Sequence, residues 1–151
     1  MLKFAVEDYH SALAELTRYY QAHHDEVGPK GFPMDPDYES YSEYADLGML
    51  HVVTARLGAE LVGYHVSIVT GALHYRSCVT ALVDGYYLRP DCRKGMNGIN
   101  FLKFVDLSLQ SIGVNRVYTT TTAHSNKGAI FERLGYTAHE LTYTKTFGVQ
   151  S

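Results

Sequence analysis

The sequence predicts an α+β domain: a central mixed, mostly antiparallel sheet flanked by helices. Three observations carry that expectation. Apolar residues recur at spacings of three and four near the N-terminus and again from Ile99 to Ile112, the period of an amphipathic helix. Apolar, strand-like runs separated by glycine turns fill the interval from Met49 to Leu88 and read as an antiparallel meander. The rest of the chain alternates strand-like and helix-like segments, and helices laid on a sheet bury both sets of apolar faces.

In chain order, Leu2 to Val6 is a short first strand. From Asp8 the pattern turns helical, with Tyr9, Leu13, Leu16 and Tyr20 on one face and Gly28 as the stop. Gly28 to Pro33 is a loop. Asp35-Pro36-Asp37 then has the features of a helix start: an Asp cap, a Pro at the first helical position and an acid in the first turn. Tyr38, Tyr41 and Tyr44 share a face of that helix, and Gly48 ends it. Met49 to Arg56 and Leu61 to Val69 are strands flanking the turn Leu57-Gly58-Ala59-Glu60. Gly71 interrupts, and Cys78 to Leu88 is a third apolar run. In the helix Ile99 to Ile112, Phe101, Leu102, Val105, Leu109 and Ile112 face one way, and Lys103, Asp106 and Gln110 the other. Gly113 caps it. Arg116 to Thr121 is β-branched and strand-like, Asn126 to Leu134 is a short helix closed by Gly135, and Leu141 to Phe147 alternates as a last strand.

A length of 151 residues fits one domain, residues 1–151, with room for a real core. The formal charge of −3 argues against general nucleic-acid binding, so any basic chemistry must be local. No apolar run approaches the ~20 residues of a membrane span, and the chain reaches Glu7 and Asp8 too soon for a signal peptide. Cys78 and Cys92 alone are too few for a disulfide framework and point to a reducing cytoplasm. Among the eight His, His23 and His24 are adjacent and His10 is distant, and no His-x-x-x-His pair stands near a carboxylate or Cys. No metal site is therefore expected.

The most informative stretch runs from Val83 to Gly98. It reads as a strand, a basic glycine turn and the start of an amphipathic helix. A helix N-terminus offers unpaired N–H groups, and Arg93 and Lys94 add positive charge beside it, which suits a phosphate-bearing ligand. The turn lacks Gly-x-Gly-x-x-Gly and any Gly-Lys-Ser/Thr, which sets aside the dinucleotide and Walker turns.

Arg93-Lys-Gly-Met-Asn-Gly98 resembles the glycine turn of the GCN5-related N-acetyltransferases (GNATs), Gln/Arg-x-x-Gly-x-Gly/Ala after a strand. Further on, His124-Ser-Asn-Lys-Gly-Ala-Ile-Phe-Glu-Arg-Leu-Gly-Tyr136 resembles their second block, Asn-x-x-Ala-x-x-x-Tyr-x-x-x-Gly-Phe. The blocks stand in the right order; the resemblance covers residues 50–147, and the N-terminal helices by topology only. Gly63-Tyr-His65, Leu73-His-Tyr75 and the Arg-Lys-Gly turn also look like phage and prophage members, which would make the location a host cytoplasm.

The resemblance implies acetyl-CoA as cofactor. Its pantetheine arm would lie beside the splayed end of the fourth strand, at Tyr87 and Leu88. Its pyrophosphate would sit on Arg93, Lys94, Gly95, Met96, Asn97 and Gly98, at the positive end of the following helix. Asn126 would hydrogen-bond the pantetheine or a substrate-bound water, although Asn is equally suited to cap the short helix. The partner would be an amine, on a small molecule or a protein, with Tyr38, Tyr41 and Tyr44 in the region that walls the acceptor. Proteins of this kind commonly pair through a sheet edge or C-terminal strand, so a homodimer is among the expectations.

Acetyl transfer needs a neutral amine, a positioned thioester and a proton for the leaving thiolate. An alkyl amine of pKa ~10.4 is only about 0.1% neutral near pH 7.4, a cost of roughly 4 kcal/mol if nothing helps. A carboxylate on the fourth strand is the family's frequent answer, and Asp84 stands there; a strand-end Asp also bonds backbone in many proteins. The chain departs from the pattern twice. Met96 stands where the family has its first Gly, with Gly95 one position earlier, and Phe131 stands where the family has a proton-donating Tyr. Ser125, His124, Tyr118 and Tyr86 are the substitutes for that donor. The two readings are thus an N-acetyltransferase acting by direct attack in a ternary complex, and a non-catalytic module or virion component that keeps the fold.

Overall fold

Three long strands joined by two-residue turns make the frame. β2 (Leu50–Leu57), β3 (Glu60–Ala72) and β4 (Tyr75–Leu88) run antiparallel in a computed structural model that describes residues 1–148. The expected single domain extends to residue 151, and 149–151 lie outside the described residues. Leu57 pairs with Glu60, so only Gly58 and Ala59 turn the first hairpin, and Gly58 takes the φ of +61° that a tight hairpin demands. β1 (Leu2–Val6) pairs with β2 at one edge, and β5 (Arg116–Tyr118) joins β4 in parallel at the other. The strand order β1-β2-β3-β4-β5, with one parallel pairing, is the mixed sheet that the sequence predicts.

β5 pairs only with Thr80, Ala81 and Leu82. β4 runs on to Leu88 without β5 beside it, and this opening positions the site.

Helices cover both faces. α1 (Tyr9–Val27), whose first turn is capped by the Asp8 carboxylate accepting from Ser11 N, lies on one face with α2 (Tyr38–Asp46). Arg56 on β2 ties α1 down, reaching Glu7 at 2.7 Å and Glu15 at 2.9 Å. α3 (Asn97–Ser111) lies on the other face and buries Phe101, Leu102, Val105 and Leu109, as its periodicity predicts. Each such side chain taken fully from water stabilises the fold by about 1.5–3 kcal/mol. α4 (Gly128–Arg133) follows, with Phe131 buried. No helix among the described residues is long and apolar enough to cross a membrane.

Several expectations need correction. Leu141 to Phe147 forms no strand: a strand requires a partner ladder, residues 137–148 have none, and Leu141, Tyr143 and Phe147 are exposed. Gly71 does not interrupt β3, because it pairs with Val79 and the strand continues to Ala72. The connection expected over 69–78 is instead the end of a long hairpin turning at Leu73 and His74. The cap of α2 is Asp37, not Asp35; its carboxylate accepts from Ser40 N at 3.0 Å, which leaves Pro36 outside the helix. Ile112 faces solvent at the end of α3, and the strand expected over Arg116 to Thr121 ends at Tyr118.

Candidate functional site

One stripe of α1 packs on the sheet. Tyr9, Ala12 and Leu16 are buried, and Tyr19, Tyr20 and His23 continue the stripe at helical spacing. Tyr19 Oη donates to the Leu61 carbonyl at 2.8 Å, which fixes the helix over β3. His23 ends the stripe above β4, where Gly85 leaves room: a Cβ there would stand 3.2 Å from His23 Cε1. His23 Nδ1 shares a 2.7 Å hydrogen bond with the Tyr64 hydroxyl, and its ring lies 5.6 Å from that of Tyr87. Burial holds the His23 pKa below the usual imidazole value; Glu26 and Asp84 pull it up, Arg93 and His24 push it further down. The ring is therefore neutral at pH 7. No second hydrogen bond engages it among the described residues.

α2 delivers Tyr41, whose hydroxyl donates to Asp84 Oδ2. Burial, and then that bond, raise the Tyr41 pKa, and burial does the same for Tyr20 and Tyr64. All three stay phenols at neutral pH.

Two cavities meet here. The larger, about 440 Å³, occupies the opening between β4 and β5 and is walled by Val83 to Leu88, Gly98 and Phe101 of α3, the end of α1, and residues from Thr120 to Ile130. The smaller, about 180 Å³, lies between α1, the start of α2 and strands β3 and β4. They share Tyr20, His23, Met34, Asp84 and Gly85. The sequence-derived Asp84 thus sits at the junction, beside a histidine that the sequence reading set aside.

The glycine turn is built as a helix entry. Gly95 takes a φ of +59°, α3 starts at Asn97, and Met96 at the cap position supplies no side-chain acceptor. The N–H groups of Gly98 and Ile99 have no hydrogen-bond partner among the described residues. Gly98 lines the larger cavity, and a Cβ there would meet nothing within 4 Å. Arg93 also lines it, but its guanidinium is engaged: it holds Glu26 with bonds of 2.8 and 2.7 Å, donates from Nε to the Leu88 carbonyl at 2.6 Å, and lies over the Tyr87 ring. Asn97 Nδ2 donates to the Cys92 carbonyl at 3.0 Å. Lys94, Gly95, Met96 and Asn97 do not wall the cavity, whereas Tyr87 and Leu88 do.

In the second block, Asn126 Oδ1 accepts from Gly128 N at 2.7 Å and shapes the entry to α4; it is not a wall of the larger cavity. Its neighbours Thr122, Ser125 and Lys127 are. The Thr122 hydroxyl is buried with no hydrogen-bond partner among the described residues. Phe131 meets Tyr86 edge-on at 5.9 Å. Of the substitutes for its missing hydroxyl, Tyr86 and Ser125 line the cavity, and burial raises the Tyr86 pKa. His124 instead approaches the Glu26 carbonyl, and Arg116 lies over the Tyr118 ring. The sequence reading missed His23, Thr122 and Lys127. The helical period of α1, carried one step past Tyr20, points at His23. Among the described residues, no group of three His, Cys, Asp or Glu is placed to hold a metal ion.

No protein-family model and no curated protein matches this sequence. Solved structures do. An aminoglycoside acetyltransferase from an uncultured soil metagenomic sample, in complex with trehalose, has a TM-score of 0.75 at 16% identity, over 99% of this chain and 97% of that one. A ribosomal-protein-alanine N-acetyltransferase from Brucella melitensis biovar Abortus 2308 has a TM-score of 0.76 at 15% identity, over 99% of both chains. A predicted acetyltransferase from Clostridium acetobutylicum, with acetyl-CoA, has a TM-score of 0.71 at 8% identity, over 97% of this chain and 96% of that one. At these identities the likeness is one of fold. The five-stranded mixed sheet flanked by helices is the GNAT fold, and these structural neighbours are acetyltransferases.

Proposed function

We propose that the chain is an acetyl-CoA-dependent N-acetyltransferase that moves an acetyl group to a primary amine by direct attack in a ternary complex. The observation that carries this is the meeting of two cavities at one carboxylate and one neutral imidazole. The larger cavity fits the cofactor: unpaired N–H groups at Gly98 and Ile99 suit a pyrophosphate, and Thr122 and Lys127 line the same space. Tyr87 and Leu88 would flank the pantetheine. Arg93 is a fixed wall there, and Asn126 a support for the second block. Bound acetyl-CoA supplies an activated thioester.

The chain's own residues handle the protons. Asp84 attracts the ammonium form of the acceptor to the junction. His23 takes its proton, as the tautomer whose Nδ1–H donates to Tyr64 Oη and whose Nε2 carries the lone pair. Tyr86 and Ser125 are the cavity hydroxyls that would supply a proton to the cofactor's sulfur, since Phe131 carries none.

Calorimetry with acetyl-CoA, followed by thiol release over a panel of amines, tests this. Cofactor binding with amine-dependent thiol release is the expected result. No binding at millimolar acetyl-CoA would overturn it. Binding without thiol release would favour the other reading, a non-catalytic module, which the buried Phe131 supports.

A further inference from the structure

The smaller cavity holds three tyrosines and one carboxylate and, unlike its neighbour, no Lys or Arg among the described residues. On the basis of the acetyltransferase reading, we propose that its occupant is an amine with a single positive charge on an aryl or branched-alkyl body, held against Tyr20, Tyr41 and Tyr64 with its nitrogen at Asp84.

Four observations lead there. The first is where the phenol oxygens go. The Tyr41 hydroxyl is bonded to Asp84 and the Tyr64 hydroxyl to His23, so both polar tips are engaged at the junction. Ring carbon, with Met34, Val66 and the Tyr20 hydroxyl, remains to contact the ligand. Aromatic faces attract an organic cation and pack against an apolar body.

The second is bracing. Tyr41 stacks on Tyr9 at 5.9 Å, Tyr20 meets Tyr64 edge-on at 5.7 Å, and Tyr64 stacks on Tyr87 at 6.1 Å. Rings already held in place lose little freedom when a ligand arrives.

The third is charge. Asp84 is the only acid lining this cavity among the described residues; no Lys or Arg lines it, and His23 is neutral. One ammonium finds one carboxylate. The further ammonium groups of a polycation would find no second carboxylate, and a sugar phosphate would meet Asp84 with no cation to hold it.

The fourth is size. A protein cavity of ~150 Å³ takes a benzene, and about 180 Å³ takes one ring with a short arm. Only one ring of a three-ring aminoglycoside would seat there.

The test follows thiol release from acetyl-CoA by the wild-type protein with 2-phenylethylamine, isoamylamine, an aminoglycoside, glucosamine 6-phosphate and an alanine-terminated peptide. The two monoamines should exceed the other three in kcat/KM by at least tenfold. The N,N,N-trimethyl derivative of 2-phenylethylamine, which cannot be acetylated, should compete with the amine and leave the KM for acetyl-CoA unchanged. Pro36 is partly exposed and touches only the smaller cavity, so Pro36→Glu adds a second carboxylate there. It should raise the preference for an alkyl diamine over isoamylamine about fivefold. An aminoglycoside, sugar phosphate or peptide used as well as the monoamines overturns the assignment and leaves the acetyltransferase reading standing. So does a quaternary amine that fails to compete. No cofactor binding and no thiol release with any amine brings down both.

Discussion

The two faces of the sheet are built from different materials. Against α3 the core is aliphatic with one deeply buried ring: Val53, Ala55, Val62, Ala81, Phe101, Val105 and Leu109. Against α1 and α2 it is tyrosine: Tyr9, Tyr64 and Tyr87 are buried, with Tyr19, Tyr20 and Tyr41 packed beside them. Both faces remove apolar area from water. A phenol, however, carries a polar tip that must find a partner, and the tips of Tyr41 and Tyr64 find theirs at Asp84 and His23. The α3 face therefore supplies stability, while the α1 face supplies stability and arranges chemistry.

Core truncation on each face should give the largest contrast. Leu109 is fully buried, and Leu109→Ala should cost about 2–5 kcal/mol in denaturant unfolding. Tyr41→Phe keeps the ring and loses one hydrogen bond, a change of about 0.5–1.5 kcal/mol. Its effect should appear instead in the KM for the amine. Equal stability losses at the two positions would erase the distinction between the faces.

Next in size is the imidazole. His23→Gln should lower kcat by about 100-fold or more, the range of a lost general base. The pH profile separates this from simple misfolding. Burial holds the His23 pKa below the usual value, so the wild-type rate should fall only on the acid side of the ordinary imidazole range. The variant should lack that acid limb. A variant with the wild-type limb would take His23 out of the reaction.

The same contrast governs what the sequence disclosed. Periodicity marked the buried residues of α3 because they touch one apolar face and repeat every three to four positions. The hairpin at Gly58 and the entry to α3 are local, set by a few adjacent residues. Asp84 was singled out through the family resemblance, which looks for a carboxylate on the fourth strand, and the structure places it where the two cavities meet. His23 was not: it lies on α1 while its partners Tyr64 and Gly85 lie on β3 and β4, and a polar residue at the end of an amphipathic stripe resembles a surface one. The C-terminal alternation misled for the opposite reason, since Leu141, Tyr143 and Phe147 carry a strand's pattern without a partner strand.

A smaller effect separates the faces by pH. On the α3 face His65 is buried beside His51, and burial pushes its pKa down to about 3. The unfolded chain takes up a proton near the ordinary value of ~6.5, whereas the folded chain does not until far lower pH. Stability is therefore full above pH 6.5 and declines as pH falls towards 3. His65 alone should account for a loss on the order of 1–2 kcal/mol between pH 6.5 and 5. His51 and His23 act in the same direction. Urea midpoints across that window should slope less in His65→Asn, and an unchanged slope would assign the acid sensitivity elsewhere.

The smallest expected effect is the most specific to the α1 face. Gly85 does not occupy the left-handed region, so its backbone accepts alanine without strain, and removing a glycine stabilises by restricting the unfolded chain. The new Cβ would stand 3.2 Å from His23 Cε1, and the imidazole would have to shift by a few tenths of an ångström. The adjoining Nδ1 of that ring is held by Tyr64 at 2.7 Å, so the shift would lengthen this bond or turn Nε2 away from the junction. Gly85→Ala should leave the melting temperature equal or slightly raised while kcat falls about three- to tenfold, as expected when a positioned group is displaced. Stability and activity would then move in opposite directions at a single methyl group. An undiminished kcat would show that the placement of His23 over Gly85 does not matter to the reaction, and the proton would have to leave by way of Asp84 instead.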